Sequence, residues 1–175
     1  MSEGKNKIKA EFKELRGFSV MINIIMLQVY TMNLDSVLVS SIMSKDVKIK
    51  VEEEDIGAVC RLMGDNDIGS VVIVKGKGKD QIPVGIVTER DIVRRLGKKT
   101  GDLKEPLTAF MSKPLITIRS NSTAKEAMQL MNSDQIRRIV VVDQSDRMIG
   151  ILTEKDIFRE LLKKSGLLDD FTKYG

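Results

Sequence analysis

A single pattern that occurs twice constrains the fold of this chain more than any other feature of its sequence. The residues from Gly85 to Ile92 (GIVTERDI) recur 65 positions later as Gly150 to Ile157 (GILTEKDI). Upstream, IMSK at 42–45 recurs 68 positions later as FMSK at 110–113. Self-similarity at a fixed period indicates one supersecondary unit present in two copies, neither of which buries its apolar face alone.

Apolar patterning predicts the same order of elements, β-α-β-β-α, in both copies. Continuous β-branched runs are typical of strands that are buried on both faces. The predicted strands are 47–51, 71–74 and 84–87 in the first copy, and 115–118, 139–142 and 149–152 in the second. Because one copy is too small for a core of its own, we expect an α/β (α+β) fold in which two sheets pack face to face about a pseudo-twofold axis, with two equivalent clefts between them.

Each copy also contains two predicted helices that carry an apolar stripe at helical spacing. The first-helix stripes are Ile56, Val59 and Met63 in one copy, and Ala124, Ala127, Met128 and Met131 in the other. The inner faces of the second helices are predicted to hold Ile92, Val93 and Leu96, and Ile157, Phe158, Leu161 and Leu162. Gly57, close to a helix start, costs up to about 1 kcal/mol relative to Ala unless close packing requires it.

These elements divide the chain into an N-terminal extension (1–35), copy one (36–97), a linker (98–106), copy two (107–163) and a C-terminal tail (164–175). The extension is expected to form an extra helix or strand, to make a dimer contact, or to be loosely ordered. Its apolar run at 18–30 is shorter than the roughly 20 residues that a transmembrane helix needs, and no small-residue cleavage site follows it. We therefore expect a cytoplasmic protein that has no membrane partner.

The rarest residue types exclude several chemistries. The 175 residues include no His and one Cys, Cys60, which excludes a Ser-His-Asp or Cys-His triad, a Cys/His zinc site and an intrachain disulfide. We interpret Cys60 as a packing residue on a helix face. The 29 Lys+Arg against 25 Asp+Glu give a net charge of +4, which permits association with phosphates or nucleic acid without requiring it.

The repeated pattern Gly-apolar-apolar-Thr-x-x-Asp falls at a predicted strand-to-helix junction and has two compatible interpretations. As a helix start, the threonine (Thr88 or Thr153) is the N-cap. The aspartate (Asp91 or Asp156) then reaches back to it in a capping box, and such a cap is worth about 1 kcal/mol. As a ligand site, the ionised carboxylate accepts both vicinal hydroxyls of a ribose, while the threonine hydroxyl and the first-turn N–H groups face a phosphate.

Two adjacent arginines, Arg137 and Arg138, stand at the start of the central strand of copy two. One interpretation is edge protection, since strand alternation sends neighbouring side chains to opposite faces. The other is a phosphate clamp that uses forked, charge-assisted hydrogen bonds. The matching positions of copy one are Gly69 and Ser70, so the two clefts are predicted to be chemically unequal.

With these motifs and the stretch IRRIVVVD at 136–143, the sequence resembles a tandem pair of CBS domains, regulatory modules named after cystathionine β-synthase, over about residues 36–162. The resemblance implies the β-α-β-β-α pair and a homodimer, a flat disc formed through exposed helices. It also implies clefts that bind AMP, ADP, ATP or S-adenosylmethionine as regulatory ligands, with no catalytic cofactor, no catalytic residue and no metal.

The resemblance assigns roles to the motif residues position by position. Asp156 and Asp91 match the ribose-binding aspartate, and Thr153 and Thr88 match the hydroxyl beside it. Arg137 and Arg138 match the basic pair that contacts phosphates, and Lys155 and Arg90 match the phosphate-near position before the aspartate. Copy one departs from the family pattern at Gly69 and Ser70, which predicts weaker phosphate binding there.

The sequence leads to one main functional hypothesis and two alternatives. The main one is a non-catalytic, energy-sensing module that binds an adenine nucleotide and reports its occupancy to an unknown effector protein, with the choice among the four ligands left open. The first alternative is a nucleic-acid-associated or scaffold protein that uses its basic cluster, Arg94, Arg95, Lys98, Lys99 and Lys104. The second alternative is an enzyme. It is disfavoured because a known enzyme that contains a CBS pair has its catalytic site in a separate TIM barrel, and such a barrel needs about 250 residues, more than this sequence has.

Overall fold

Both copies have the predicted order of elements in the computed structural model, which describes residues 34–76, 82–97 and 102–164. Most of the predicted extension, part of the linker and most of the C-terminal tail lie outside the described residues. The first copy begins with a short helix, α1 (Val39–Ile42), and continues with β1 (Ile49–Val51), α2 (Ile56–Asn66), β2 (Ser70–Lys75), β3 (Ile82–Thr88) and α3 (Glu89–Leu96). The second copy contains β4 (Thr117–Arg119), α4 (Ala124–Ser133), β5 (Arg138–Val142), β6 (Met148–Thr153) and α5 (Glu154–Lys164).

Each copy contributes one three-stranded sheet, in the order β1-β2-β3 or β4-β5-β6. The first two strands of each sheet are parallel and the last two antiparallel, and the register shifts once in the antiparallel pair, at Ile73/Val74 and at the matching Val141/Val142. Alternate valines of the two central strands, Val72, Val74, Val140 and Val142, form one buried cluster. The two sheets therefore pack face to face, as predicted from the size of one copy.

The first residues of each copy pack against the other copy. Val37 and Val39 are buried in one core with residues of α4 and α5, whereas Leu107 and Phe110 are buried in the core of the first copy. Backbone bridges follow the same exchange, because Ser44 pairs with Ile151 of β6, and Ser112 pairs with Ile86 of β3. Neither core is complete without a segment from the other half of the chain.

Side-chain caps determine where the helices begin. The carboxylate of Asp55 accepts a hydrogen bond from the Ala58 N–H at 2.8 Å, and Thr123 starts α4 with a capping box. Capping satisfies N–H groups that the first helical turn leaves unpaired. A Cβ on Gly57 would lie 3.0 Å from the Leu103 carbonyl oxygen, so close packing requires the glycine near the start of α2.

Three apolar residues predicted to face inward are instead exposed. Val93 is 70% exposed, Phe158 is 56% exposed and Met128 is 43% exposed. The prediction for the second helices was wrong at Val93 and Phe158 because each follows the buried or half-buried stripe residue directly, and consecutive residues point about 100° apart around a helix. Cys60 is half-buried against the core of the first copy, and this burial raises the pKa of its thiol. Within the described part of the chain, no helix has the length and apolar character needed to cross a membrane.

Candidate anion-binding cleft

A cavity of about 500 Å³ lies where the start of α3 faces the start of β5. Its walls come from both copies: Gly69, Ile86, Thr88, Glu89, Arg90, Asp91 and Arg94 from the first, and Ser112, Asp134, Gln135, Ile136, Arg137 and Arg138 from the second. Both copies thus have to be folded and packed together for this cleft to exist.

The Thr88–Asp91 pair forms the floor of the cleft in the predicted capping-box geometry. The Asp91 carboxylate accepts hydrogen bonds at Oδ2 from the Thr88 N–H at 2.9 Å and from the Thr88 hydroxyl at 2.5 Å. The Asp91 N–H donates to Thr88 Oγ1 at 3.3 Å. The cap therefore engages one carboxylate oxygen fully, and among the described residues the other, Oδ1, accepts only from the Ser112 hydroxyl at 3.3 Å.

The glycine at the head of the motif is explained by the residues that pack on it. A Cβ on Gly85 would lie 2.7 Å from Met111 Sδ, and a Cβ on Gly150 would lie 2.7 Å from Met43 Sδ. The two motifs that recur in the sequence, Met-Ser and Gly-x-x-Thr, are therefore the two sides of one contact. The sequence identified both motifs but did not indicate that they meet across the two copies.

Arg138 reaches from the second copy toward the carboxylates of the first. It shares strand parity with Val140 and Val142 of the inter-sheet core, so its side chain points between the sheets. Burial lowers the pKa of Arg138 from its ordinary value, and the nearby carboxylates of Glu89 and Asp91 act in the opposite direction. The Arg138 guanidinium stays protonated and is a partly desolvated cation inside the cleft.

Four arginines of the cleft have no carboxylate partner. Within the described ranges, none of Arg90, Arg94, Arg137 and Arg138 takes part in an ion pair. Guanidinium groups form short, often bidentate hydrogen bonds with phosphate and carboxylate oxygens. Their concentration around one cavity therefore favours an anionic ligand that carries several oxygen atoms.

The second copy repeats the cap but not the surroundings. Asp156 Oδ2 accepts from the Thr153 N–H at 2.9 Å and from its hydroxyl at 2.5 Å. Lys155 lines a different, mostly apolar groove of about 810 Å³ between α4 and α5. The structure thus places the predicted residues Thr88, Arg90, Asp91, Arg137 and Arg138 around one cavity, and Thr153, Lys155 and Asp156 do not line it.

Arg137 and Arg138 belong to copy two in sequence, but they line the cavity around Asp91 of copy one. Arg138 pairs through its backbone with Thr153 of its own copy, yet it lines the cavity of Asp91. Copy two therefore contributes the arginine pair to the cavity of Asp91, and the weaker phosphate binding expected from Gly69 and Ser70 stays a prediction. Sequence reasoning also missed Arg94 and Ser112 as cleft residues, although Arg94 follows Asp91 by three residues and so lies on the same helix face.

The described residues contain no group of three His, Cys, Asp or Glu side chains that could hold a metal ion. The chemistry available in the cleft comes from three carboxylates, two hydroxyls and four guanidinium groups, which together can bind a polar, anionic molecule.

Comparison with known proteins matches the CBS domain family model twice, to residues 39–98 and 107–163. The chain is 35% identical over 125 residues to an uncharacterized protein of Methanopyrus kandleri, a match that covers 71% of this chain and 62% of that relative. It is 32% identical over 146 residues to an uncharacterized protein of Methanocaldococcus jannaschii and covers 34% of its length. The chain therefore spans less than two thirds of these two curated relatives.

A solved structure shares the fold. An uncharacterized conserved protein from Pyrococcus horikoshii superimposes with a TM-score of 0.66 at 25% sequence identity, and the match covers 74% of this chain and 94% of that one. The architecture of two packed repeats is thus found in a separate protein whose length the match almost fills.

Proposed function

Because the chain belongs to the CBS domain family, we propose that it is a regulatory module that binds an adenine nucleotide in the cleft around Asp91 and signals occupancy to a partner protein. The observation that carries the proposal is the cavity itself, which is lined by a partly free carboxylate and by four arginines that form no ion pair with any described residue. The family resemblance is the reason to expect an adenosine group in the ligand, and the arginines of the cleft are the reason to expect phosphates.

The geometry supports a division of the ligand between the two walls. Asp91 Oδ1 has only the Ser112 hydroxyl as a hydrogen-bond donor, and an ionised carboxylate has spare lone pairs for ribose hydroxyls. Arg137 and Arg138 then face the phosphates from the opposite wall. The proposal therefore assigns ribose to the first copy and phosphate to the second.

Charge supports a nucleotide over S-adenosylmethionine. The cleft contains four arginines against the three carboxylates of Glu89, Asp91 and Asp134. A sulfonium cation would meet the like charge of the arginines, whereas each added phosphate gains a guanidinium partner. We expect ATP and ADP to bind more tightly than AMP, and S-adenosylmethionine to bind most weakly.

The test is calorimetric titration of the chain with AMP, ADP, ATP, adenosine and S-adenosylmethionine. Arg138→Ala should weaken ATP binding about 10- to 100-fold, because a hydrogen bond to a charged group contributes about 1.5–3 kcal/mol, and should leave adenosine binding unchanged. Arg147→Ala is the matched control, since Arg147 is 76% exposed and pairs with Asp143 outside the cleft. Equal losses for ATP and adenosine would remove the phosphate assignment, and no binding of any ligand would remove the function.

The nucleic-acid alternative loses one of its cations in the structure. Arg95 pairs with Glu105 at 3.1 Å and lies 5.3 Å from the centroid of the Phe110 ring. It is thus a structural contact between α3 and the segment before copy two. Strong DNA binding with a steep salt dependence, in a chain that binds no nucleotide, would reverse this preference.

We also propose that a second copy of the chain covers the exposed helical face. Met128 and Phe158 border the apolar groove between α4 and α5, and Val93 occupies the position in copy one that matches Phe158. Light scattering should show a dimer that Phe158→Glu dissociates, because the substitution buries a charge. Ile82→Glu, at a residue that is 65% exposed on β3, should leave the dimer intact, and a monomeric wild-type chain would contradict this proposal.

A further inference from the structure

The two copies differ in the partner of the aspartate oxygen, Oδ1, that does not take part in the helix cap. In copy two, Asp156 Oδ1 forms an ion pair with Arg159 Nη1 at 3.2 Å, and the Asp156 side chain is only 15% exposed. In copy one, the residue that matches Arg159 is Arg94, which lines the cavity and forms no ion pair within the described part of the chain. The same two residue types, three positions apart on a helix, are thus paired in one copy and unpaired in the other.

We propose that the chain binds one nucleotide per subunit. In the second cleft the Asp156 carboxylate is already paired with Arg159, whereas in the first cleft Arg94 is unpaired among the described residues and is a further phosphate ligand. This inference rests on the proposed function, and it adds two residues that the shared motif does not contain. It also gives the pseudo-symmetric halves different tasks, since only the Asp91 cleft takes ligand.

The physical cause of the difference is the residue on the opposite wall. Arg138 lines the same cavity as Asp91 and Glu89, and both its Nη1 atom and Glu89 Oε2 lie beside Gly69, so a cation from the second copy already stands among these carboxylates. Arg94 gains little from pairing with the Asp91 carboxylate and is repelled by the neighbouring guanidinium groups. It is therefore available to a ligand.

In the second cleft, the described residue that corresponds to Arg138 is not a cation. Ser70 is the counterpart of Arg138, because each residue opens a central strand, pairs with the motif threonine of its own sheet and lies two positions before an inner-face valine. A serine cannot balance Asp156, and Arg159 of the same helix does so instead. Among the described residues, the Asp156 oxygen that the cap leaves over is thus paired with Arg159, and the position that matches Arg138 is a serine.

The first experiment compares Asp91→Ala and Asp156→Ala by calorimetry with ATP. Both substitutions remove the same capping contacts; Asp156→Ala also removes the ion pair with Arg159, and Asp91→Ala the hydrogen bond from Ser112. The wild-type chain should bind one ATP per subunit, Asp91→Ala should weaken binding at least about 10-fold, and Asp156→Ala should leave the affinity within about twofold. Two ATP per subunit, or an equal loss in Asp156→Ala, would overturn this inference alone, whereas no ATP binding by the wild-type chain would overturn the proposed function and this inference together.

A second experiment builds the missing site. The variant Ser70→Arg with Arg159→Ala gives the second cleft a far-wall arginine and frees Asp156, and it should bind two ATP per subunit. A stoichiometry of one in this variant, with a melting temperature close to that of the wild-type chain, would overturn the inference. For Arg94, Arg94→Ala should weaken ATP binding at least about threefold and adenosine binding not at all, and an unchanged ATP affinity would overturn its role as a ligand.

Discussion

Gly85 and Gly150 illustrate how single residues in this protein are chosen by a neighbour that lies far away in sequence. Each glycine opens the repeated motif. Met43 and Ser44 of copy one cover Gly150, and Met111 and Ser112 of copy two cover Gly85. The Ser44 carbonyl oxygen would lie 2.8 Å from a Cβ on Gly150, and the Ser112 carbonyl oxygen 3.2 Å from a Cβ on Gly85. Backbone atoms at such distances cannot move away without shifting the strand.

We predict that Gly150→Ala and Gly85→Ala each lower the free energy of unfolding by about 1–3 kcal/mol, the usual cost of overpacking. Gly150→Ala should cost more, because its Cβ would lie 2.8 Å from a backbone carbonyl oxygen, against 3.2 Å for Gly85→Ala. Gly64→Ala is the control, since a Cβ there meets nothing within 4 Å, and it should raise helix stability by up to about 1 kcal/mol. Urea denaturation measures all three, and equal effects at Gly64 and Gly150 would contradict the packing explanation.

Two helix caps of the same kind, one inside the cleft and one outside it, allow an effect on stability to be distinguished from an effect on ligand binding. Thr88 starts α3 inside the cleft, and Thr123 starts α4 outside it, each with a capping box in which the threonine accepts from a backbone N–H and the third residue accepts in return. The two helices therefore have the same local device at their N-termini. Only α3 directs its first turn toward the cavity that contains Arg138.

We predict that Thr88→Ala and Thr123→Ala destabilise the protein to a similar extent, by about 1 kcal/mol each, because each removes one cap. Only Thr88→Ala should also weaken ATP binding, since it releases the Asp91 carboxylate from its fixed orientation. Thermal melts and calorimetric titration of the two variants make the comparison. A loss of ATP affinity in Thr123→Ala of the same size would indicate a general effect of stability rather than a contact in the cleft.

At the scale of the whole molecule, the exchange of segments ties the two copies into one folding unit. Val39 stands near the start of copy one but is fully buried in the core of copy two, and Phe110 stands near the start of copy two but is buried in the core of copy one. Together with the valines between the sheets, these contacts leave neither copy an independent core. A cooperative unfolding transition of both copies is therefore expected.

We predict that Val39→Ala lowers the free energy of unfolding by about 2 kcal/mol, at about 0.8 kcal/mol for each buried methylene-sized group. Phe110→Ala should cost about 3–5 kcal/mol. Hydrogen exchange should speed up in α4 and α5 for Val39→Ala, and in α2 and β2 for Phe110→Ala, if local opening precedes global unfolding. Faster hydrogen exchange confined to copy one in Val39→Ala, and to copy two in Phe110→Ala, would contradict the packing of these residues on the opposite copy.

The sequence by itself determined the repeat, the order of elements in each copy and the capping role of the Thr-x-x-Asp motif. These features are local, since hydrophobic periods of 2 and 3.6 residues and a cap that spans three positions are legible over a few residues. The predicted central strands, 71–74 and 139–142, lie within β2 and β5 as the structure has them. The same patterning failed at Val93 and Phe158, because an apolar residue beside the stripe cannot be distinguished from one within it until the packing partner is known.

Only the tertiary structure decided which groups meet. Arg138 faces Asp91 rather than Asp156, Met111 covers Gly85, and Arg159 pairs with Asp156 while Arg94 stays unpaired. Sequence spacing fixes distances along one element, but the approach of two sheets about a pseudo-twofold axis brings the start of one copy's central strand against the helix start of the other. Which copy an arginine serves is therefore a property of that packing, and no pattern within a single copy contains it.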